Sequence, residues 1–458
     1  MKTFNSLLVK GLLILSTLFV VVSCSEDTDI LDNDDPDVDN PIVPEEEEAE
    51  DITITEVYEI TQDETWAAGI TVNFGNHVVI KEGVTLTIEP GVKVLADKDV
   101  APEFIIDGNL HALGTAEDPI YFTVPTADRT EANIFNLQAW GGFICTSTAK
   151  TFVLDHVVME FANGILTDEH ISIQRELGFE VGDPSYGFYS ENSETKVVVH
   201  NSTIAYMVDD AFRPEGGQVS FYNNVFAFIG ATGGEALNIK AGTTGDIAYN
   251  LFYHIATNGP KWSNKNGAAV QTNINAYNNT IVSGGWRRSK SGRGGSVNIE
   301  EGARGKVFNN IIVNCRYGVR IVGDPETGDT NVDMENTTIG NQFYYGYNDI
   351  IQNEFAPSNG VLKTVSESSI TTGKPGFVNF NVEAFKIEAI EGEEAFYTPI
   401  ETVKFDDWAQ YDFHLSATAA AKDAGSDQVV PMYKSISVAG KNFSVPNSAS
   451  YIGAFGTK

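Results

Sequence analysis

The chain is poor in cysteine, in cations and in helical periodicity. Only three Cys occur in 458 residues, so no disulfide framework supports the fold. No Cys pair has zinc-site spacing and none of the seven His stand at i, i+4, so neither a zinc module nor a helical metal motif is present. A Gly-rich phosphate loop followed by Lys is also missing. No resident metal or cofactor is therefore expected. Lys and Arg number 29 against 63 Asp and Glu, a net charge of −34, which sets the chain against nucleic acid and anionic surfaces. What it does have is 42 Gly and an ordinary apolar content of 42 %.

That apolar content is written as a repeat. Gly or Ala followed by apolar–any–apolar gives Gly164-Ile165-Leu166, Gly187-Phe188-Tyr189, Ala211-Phe212-Arg213 and Ala236-Leu237-Asn238-Ile239. Ala269-Val270-Gln271, Ser296-Val297-Asn298-Ile299 and Gly318-Val319-Arg320-Ile321 continue it. The lead apolar residues advance by 23, 24, 25, 33, 27 and 22. A second phrase, apolar–Asn–Asn–apolar, alternates with the first: Tyr222-Asn223-Asn224-Val225, Tyr249-Asn250-Leu251, Tyr277-Asn278-Asn279-Thr280 and Phe308-Asn309-Asn310-Ile311, with weaker copies at Asn201-Ser202 and Asn336-Thr337. A period in the twenties without helical spacing predicts an all-β right-handed parallel β-helix, in which each coil buries its apolar face on the next. Asn at the turns supplies φ > 0 and bonds from coil to coil, so these amides are expected to form structural ladders.

Residues 1–23 stand apart. Lys2 and Lys10 precede the apolar run Leu12 to Val22, which is shorter than the ~20 residues that cross a bilayer. Val21-Val22-Ser23-Cys24 resembles the bacterial lipobox, which implies a cleaved signal peptide, lipid on Cys24 and attachment to the membrane through it. Residues 24–51 then carry fourteen acids and no Lys or Arg, a self-repelling extended tether. Acids directly after such a Cys resemble the signal that sends some Gram-negative lipoproteins to the outer face of the outer membrane. Beyond the tether the body holds 27 bases and 49 acids, once Lys2, Lys10 and those fourteen acids are set aside.

Val78-Val79-Ile80, Val84-Thr85-Leu86-Thr87-Ile88 and Phe104-Ile105-Ile106 read as short strands between Gly and Pro turns. Gly83-Val84-Thr85-Leu86-Thr87-Ile88-Glu89-Pro90-Gly91-Val92, Asp107-Gly108-Asn109-Leu110-His111-Ala112-Leu113-Gly114 and Trp140-Gly141-Gly142-Phe143-Ile144 resemble the opening coils of secreted bacterial pectate-lyase-like β-helix proteins. Gly376-Phe377-Val378-Asn379, Tyr411-Asp412-Phe413-His414-Leu415 and Tyr451-Ile452-Gly453-Ala454-Phe455 resemble the closing segment of those proteins, departing from it at Ala419-Ala420 and Lys422. The expected division is therefore signal peptide 1–23, tether 24–51, β-helix 52–385 and capping segment 386–458, as a monomer. Cys145 and Cys315 end apolar strand words and are expected to be small buried side chains.

Chemistry must sit on outward positions of the stacked strands. The "any" position gives Arg213, Asn238, Gln271, Asn298 and Arg320, a polar file at ~4.8 Å per coil. Beside it the turns offer Asp209, Asp210, Glu235, Lys261, Trp262, Trp286, Arg287 and Arg288. Exposed Trp beside Arg and Lys would stack on sugar rings and bind carboxylate or sulfate, so these residues point to an extended polysaccharide. Glu235-Ala236-Leu237-Asn238-Ile239-Lys240 resembles the strand that bears the catalytic Lys in β-helical alginate and chondroitin lyases. That resemblance implies Lys240 as base, an Arg one coil on and Ca²⁺ on the uronate, but the next coil offers Gln271-Thr272-Asn273. Asp209-Asp210 resembles the paired acids of polygalacturonases, without that family's other motifs. The incomplete catalytic sets favour polysaccharide binding or surface display at the cell envelope over turnover. A Ca²⁺-dependent uronate lyase centred on Lys240, and a purely structural or adhesive surface protein, are the alternatives.

Overall fold

The computed structural model describes residues 49–458 apart from 266, 289–292, 325, 356–367, 371, 385–389, 392–393, 396–402 and 439. Cys24 and most of the tether lie outside the described residues. Three parallel sheets of 11, 10 and 10 strands run the length of a right-handed β-helix. Each coil contributes one strand to the first, second and third sheet in turn, as Thr203–Met207, Phe212–Glu215 and Gln218–Tyr222 do.

The tube is filled by the inward residues of every strand. Phe104 and Phe143 stack at 5.2 Å, Phe188 and Phe212 at 5.3 Å, and Phe226 and Phe252 at 5.1 Å, so identical positions in successive coils meet ring to ring. Cys145 and Cys315 are unpaired and buried, and burial pushes the Cys315 thiol up to about 12.

The corner between the third and first sheets is a two-residue turn in many coils. Asn223, Asn278 and Asn309 occupy left-handed backbone at φ 57°, 49° and 56°, and the next Asn points inward. Asn224 Nδ2 donates to Asn250 Oδ1 at 3.0 Å, Asn250 to Asn279 at 3.0 Å and Asn279 to Asn310 at 2.9 Å. The file ends on Gln342, whose Oε1 accepts from Asn310 Nδ2 at 3.1 Å. Asn336-Thr337 is not a copy of this turn. Asn336 bonds Asp333, and Asn341-Gln342 takes the ladder position.

One register differs from the sequence expectation. Leu237 pairs with Pro260 and Asn238 with Lys261, so Pro260–Ser263 is the strand of that coil. Val270 is 52 % exposed and lies in the connection that follows, because the extra residues of this long coil fall after the strand. Val297 and Val319 remain inside the tube.

From residue 403 onward the chain runs back over the outside of the coils. Tyr206 donates to Asp406, Asp246 accepts the backbone N–H groups of Met432 and Tyr433, and Asn309 donates to the carbonyls of Ser426 and Ala449. Lys441 pairs with Asp155 at 3.2 Å and Phe443 lies edge-on to His200. This segment lies against the first and third sheets and leaves the second to other neighbours.

Candidate functional site

The outward face of the second sheet changes character halfway along. In the early coils its central file is Val79, Ile105, Ile144 and Tyr189, in direct register. A long connection between the first and second sheets, residues 164–187, folds over that file and packs Ile171, Leu177, Phe179 and Tyr186 on it. Its short helix Ile171–Gln174 is fastened through Ser172, whose backbone N–H and hydroxyl donate to the buried Glu103 carboxylate at 2.8 and 2.7 Å.

The same file turns polar where the cover stops. Tyr189 pairs with Arg213, Asn238 with Lys261, Lys261 with Asn298, and Asn298 with Arg320. A second outward file carries Glu191, Glu215 and Lys240, then Ser263 and Glu300. These side chains lie in a furrow rather than on a solvated surface: Asn238, Lys240, Lys261, Asn298 and Arg320 are each between 3 % and 8 % exposed. Buried charge requires partners. Arg213 donates to Glu215 at 2.9 Å and to the Tyr186 hydroxyl at 2.8 Å, closing the furrow against the cover. Lys261 Nζ stands 2.7 Å from Glu300 and 3.6 Å from Glu235, and Arg320 donates to Asn298 Oδ1 at 2.9 Å.

The turns entering the sheet bring carboxyls to the furrow's edge. Asn163, fixed at the corner, accepts from the Asp209 backbone N–H and donates to the Asp210 carbonyl, which orients this acid pair. Asp210 then accepts from Asn238 Nδ2 at 2.6 Å and from the Glu235 backbone at 2.8 Å. Burial, with Asp210 beside it, raises the Glu235 carboxyl from 4.5 to about 7 against the pull of Lys261 and Lys240. Burial likewise raises Asp209. Lys240 is lowered by burial and by Lys261 and Arg213 nearby, and its ammonium has no hydrogen-bond partner among the described residues. Asn238 Oδ1 is also buried without one. The arrangement offers an acid near its neutral point, a lysine displaced towards its free-base form, and open donors and acceptors in one furrow.

Several sequence candidates stand elsewhere. Trp262 and Trp286 do not form a wall. They are 0 % and 1 % exposed inside the tube, donating to the carbonyls of Arg304 and Asn314. Arg287 is buried too, bonding the carbonyls of Ile229, Gly230 and His254 with its guanidinium 4.4 Å from the Phe135 ring. Its guanidinium is bonded to carbonyls of two turns. Gln271 is out of the file, donating to the Gly302 carbonyl and Asp333. Arg288 does reach the furrow's edge, where it draws Asp209 down against burial. Gly233 permits this, since a Cβ there would meet Arg288 Nη1 at 2.4 Å.

The residues that reading the sequence missed are Tyr186 and Glu215, which hold Arg213, and Asn258, whose Nδ2 donates to Glu235 Oε1 at 3.4 Å. The sign that would have found the right register was present: Gly259-Pro260-Lys261-Trp262 fits the repeat, with Pro in the apolar place. Calcium does not fit the site. Both Asp210 oxygens are already bonded, and among the described residues no group of three or more carboxylate, His or Cys side chains could hold a metal ion.

Residues 58–162 match the family model of the pectate-lyase-like β-helix domain. The chain carries a β-helix of the pectate-lyase-like kind. No curated protein and no solved structure matches it. A pectate-lyase-like β-helix supports a carbohydrate-related or surface role in general.

Proposed function

We propose that the furrow of the second sheet binds an extended polysaccharide laid across the coils from Arg213 to Arg320. The observation that carries this reading is the file Arg213, Asn238, Lys261, Asn298 and Arg320, polar in every coil and, beyond the half-buried Arg213, almost wholly buried. A face that was merely solvated would hold such groups exposed; here desolvated amides and cations repeat with the coil spacing, as a repeating ligand requires. Recognition is polar, through forks and amides, rather than by stacking on Trp. Retention on immobilised polysaccharides tests it. Full-length protein should be held by at least one, and Lys261→Ala with Asn298→Ala should release it. If no polysaccharide retains the protein, the structural or adhesive reading takes its place.

A second reading, cleavage of the bound chain, is favoured by the meeting of Glu235, Asp210 and Lys240 with Lys261. The strand after that of Lys240 supplies Lys261, a cation where the sequence had offered Gln271. Lys240 would take a proton and Glu235 would return one to the leaving oxygen, without a metal. Incubation with alginate, pectate or chondroitin and detection of an unsaturated product decides between binding and elimination. That product should vanish in Lys240→Ala.

The lipobox-like Val21-Val22-Ser23-Cys24 and the acidic tether support attachment to the outer membrane through lipid on Cys24. Cys24→Ser should move the protein from the detergent phase to the aqueous phase in a partition assay. An unchanged distribution would exclude the anchor.

A further inference from the structure

A second cavity lies at the corner between the first and second sheets, beside the first part of the 164–187 cover. It has a volume of about 650 Å³ and is lined by His77, His170, Asn136, Gln138, Val100 and Ile165, among others. It shares no residue with the furrow.

Its hydrogen bonding is incomplete. His77 is 6 % exposed, and its Nδ1 accepts from the Glu103 backbone N–H at 3.2 Å. A neutral ring that accepts through Nδ1 carries its hydrogen on Nε2. That donor has no partner among the described residues. His170, 5.2 Å away ring to ring, is fully engaged: its Nδ1 accepts from the Thr167 N–H and its Nε2 meets the Ala101 carbonyl at 3.0 Å. Lys98, at the rim, is paired with Asp99 at 2.9 Å. Gln138 and Asn136 spend their N–H groups on the carbonyls of Asn163 and Ala132, each at 2.7 Å, which turns their acceptor oxygens free of that task.

Part of the rim is apolar without being covered. Val57, Val100 and Ile165 are 47 %, 37 % and 42 % exposed, and all three line this one cavity. A donor without a partner, amide acceptors and three exposed apolar side chains at one cavity match a secondary amide bearing a methyl group. We infer that the cavity binds an N-acetylated sugar unit, its acetyl carbonyl accepting from His77 Nε2, its N–H donating to a side-chain oxygen of Gln138 or Asn136, and its methyl on Val57, Val100 and Ile165. This assignment rests on the carbohydrate reading above but on none of the furrow residues.

Calorimetric titration of the full chain with methyl N-acetylglucosaminide, methyl glucoside and N-acetyl-leucinamide tests it. The acetamido sugar should bind about tenfold tighter than the glucoside, a difference worth ~1.4 kcal/mol. His77→Asn keeps an acceptor for the Glu103 N–H while deleting Nε2–H, and should lose that advantage. Ile165→Asp, an exposed change that leaves the coils untouched, should lose it as well, and serves if the His77 variant fails to fold. Lys261→Ala should bind the acetamido sugar as the parent does. Equal binding of the two glycosides, tighter binding of N-acetyl-leucinamide, no binding at all, or indifference to both variants would overturn the assignment. Loss of the acetamido sugar in Lys261→Ala would move it to the furrow. Failure of polysaccharide retention with the acetamido preference intact would overturn the furrow reading alone.

Discussion

The backbone N–H of Glu235 donates to Asp210 Oδ1 at 2.8 Å, and this one bond sets two carboxyls from successive coils side by side. Glu235, raised to about 7, holds its proton where an ordinary glutamate at 4.5 has lost it. Because the folded value lies above the unfolded one, the associated stability is present below 4.5 and is lost as pH rises through about 7. Glu235→Gln should therefore match the parent near pH 4 and exceed it at pH 8 by about 2–3 kcal/mol in urea denaturation. Asp210→Asn should bring the Glu235 titration, followed by carboxyl carbon NMR, back towards the ordinary range.

Lys261 and Trp262 are adjacent in sequence and opposite in consequence. Trp262 fills the tube, so Trp262→Ala should cost about 3–5 kcal/mol of stability and lower the melting temperature. Lys261 faces the furrow between Glu235 and Glu300. Lys261→Met should change ligand retention far more than stability, and should push the Glu235 carboxyl further up. Thermal melts beside affinity electrophoresis separate the two effects.

Asn279 holds three coils at once. Its Nδ2 donates to Asn310 Oδ1 and to the Ile247 carbonyl, while its Oδ1 accepts from Asn250. Asn279→Ala strips partners from buried groups on both sides, and should destabilise by about 2–3 kcal/mol in denaturant titration. Asn223→Ala, at a left-handed exposed position, should cost only about 1 kcal/mol.

His200 is buried against Phe443 and bonds Ser220 Oγ at 2.7 Å. Burial lowers its pKa from 6.5 to about 4, opposed by Asp155. Folding therefore favours the neutral ring, and the stability tied to it is full above 6.5 and lost as pH falls towards 4. His200→Gln should flatten the parent's acid-side loss by about 2 kcal/mol between pH 7 and pH 4, measured by urea midpoints.

The repeat disclosed the tube, and the paired Asn disclosed its ladder, because both depend on period alone. Leu237, Val297 and Val319 could be placed from their neighbours in sequence. Register within a long coil could not, since Val270 and Pro260 compete for one strand and only the stack decides between them. That single slip misplaced Gln271 for Lys261. Trp262 was misread for the same reason, since in the observed register it is an inward strand position, and Trp286 because an aromatic in a connection looks exposed until the core it fills is seen. The polar half of the furrow was legible in Arg213, Asn238, Asn298 and Arg320, whereas Tyr186 enters it from a long connection with no repeat to mark it.

The amide ladder has a corollary for how such a molecule diversifies. Strands Gln218–Tyr222 and Val225–Ile229, Thr244–Ala248 and Leu251–Tyr253, Asn273–Tyr277 and Thr280–Val282, and Arg304–Phe308 and Ile311–Val313 are all joined by two residues. In these coils the seam keeps its length, and inserted residues fall at the two corners that flank the second sheet, as they do after Ile229, Ser263 and Val282. Change in length is thereby steered to the lip of the furrow, where a new loop alters what is recognised and leaves the spine of the tube as it was.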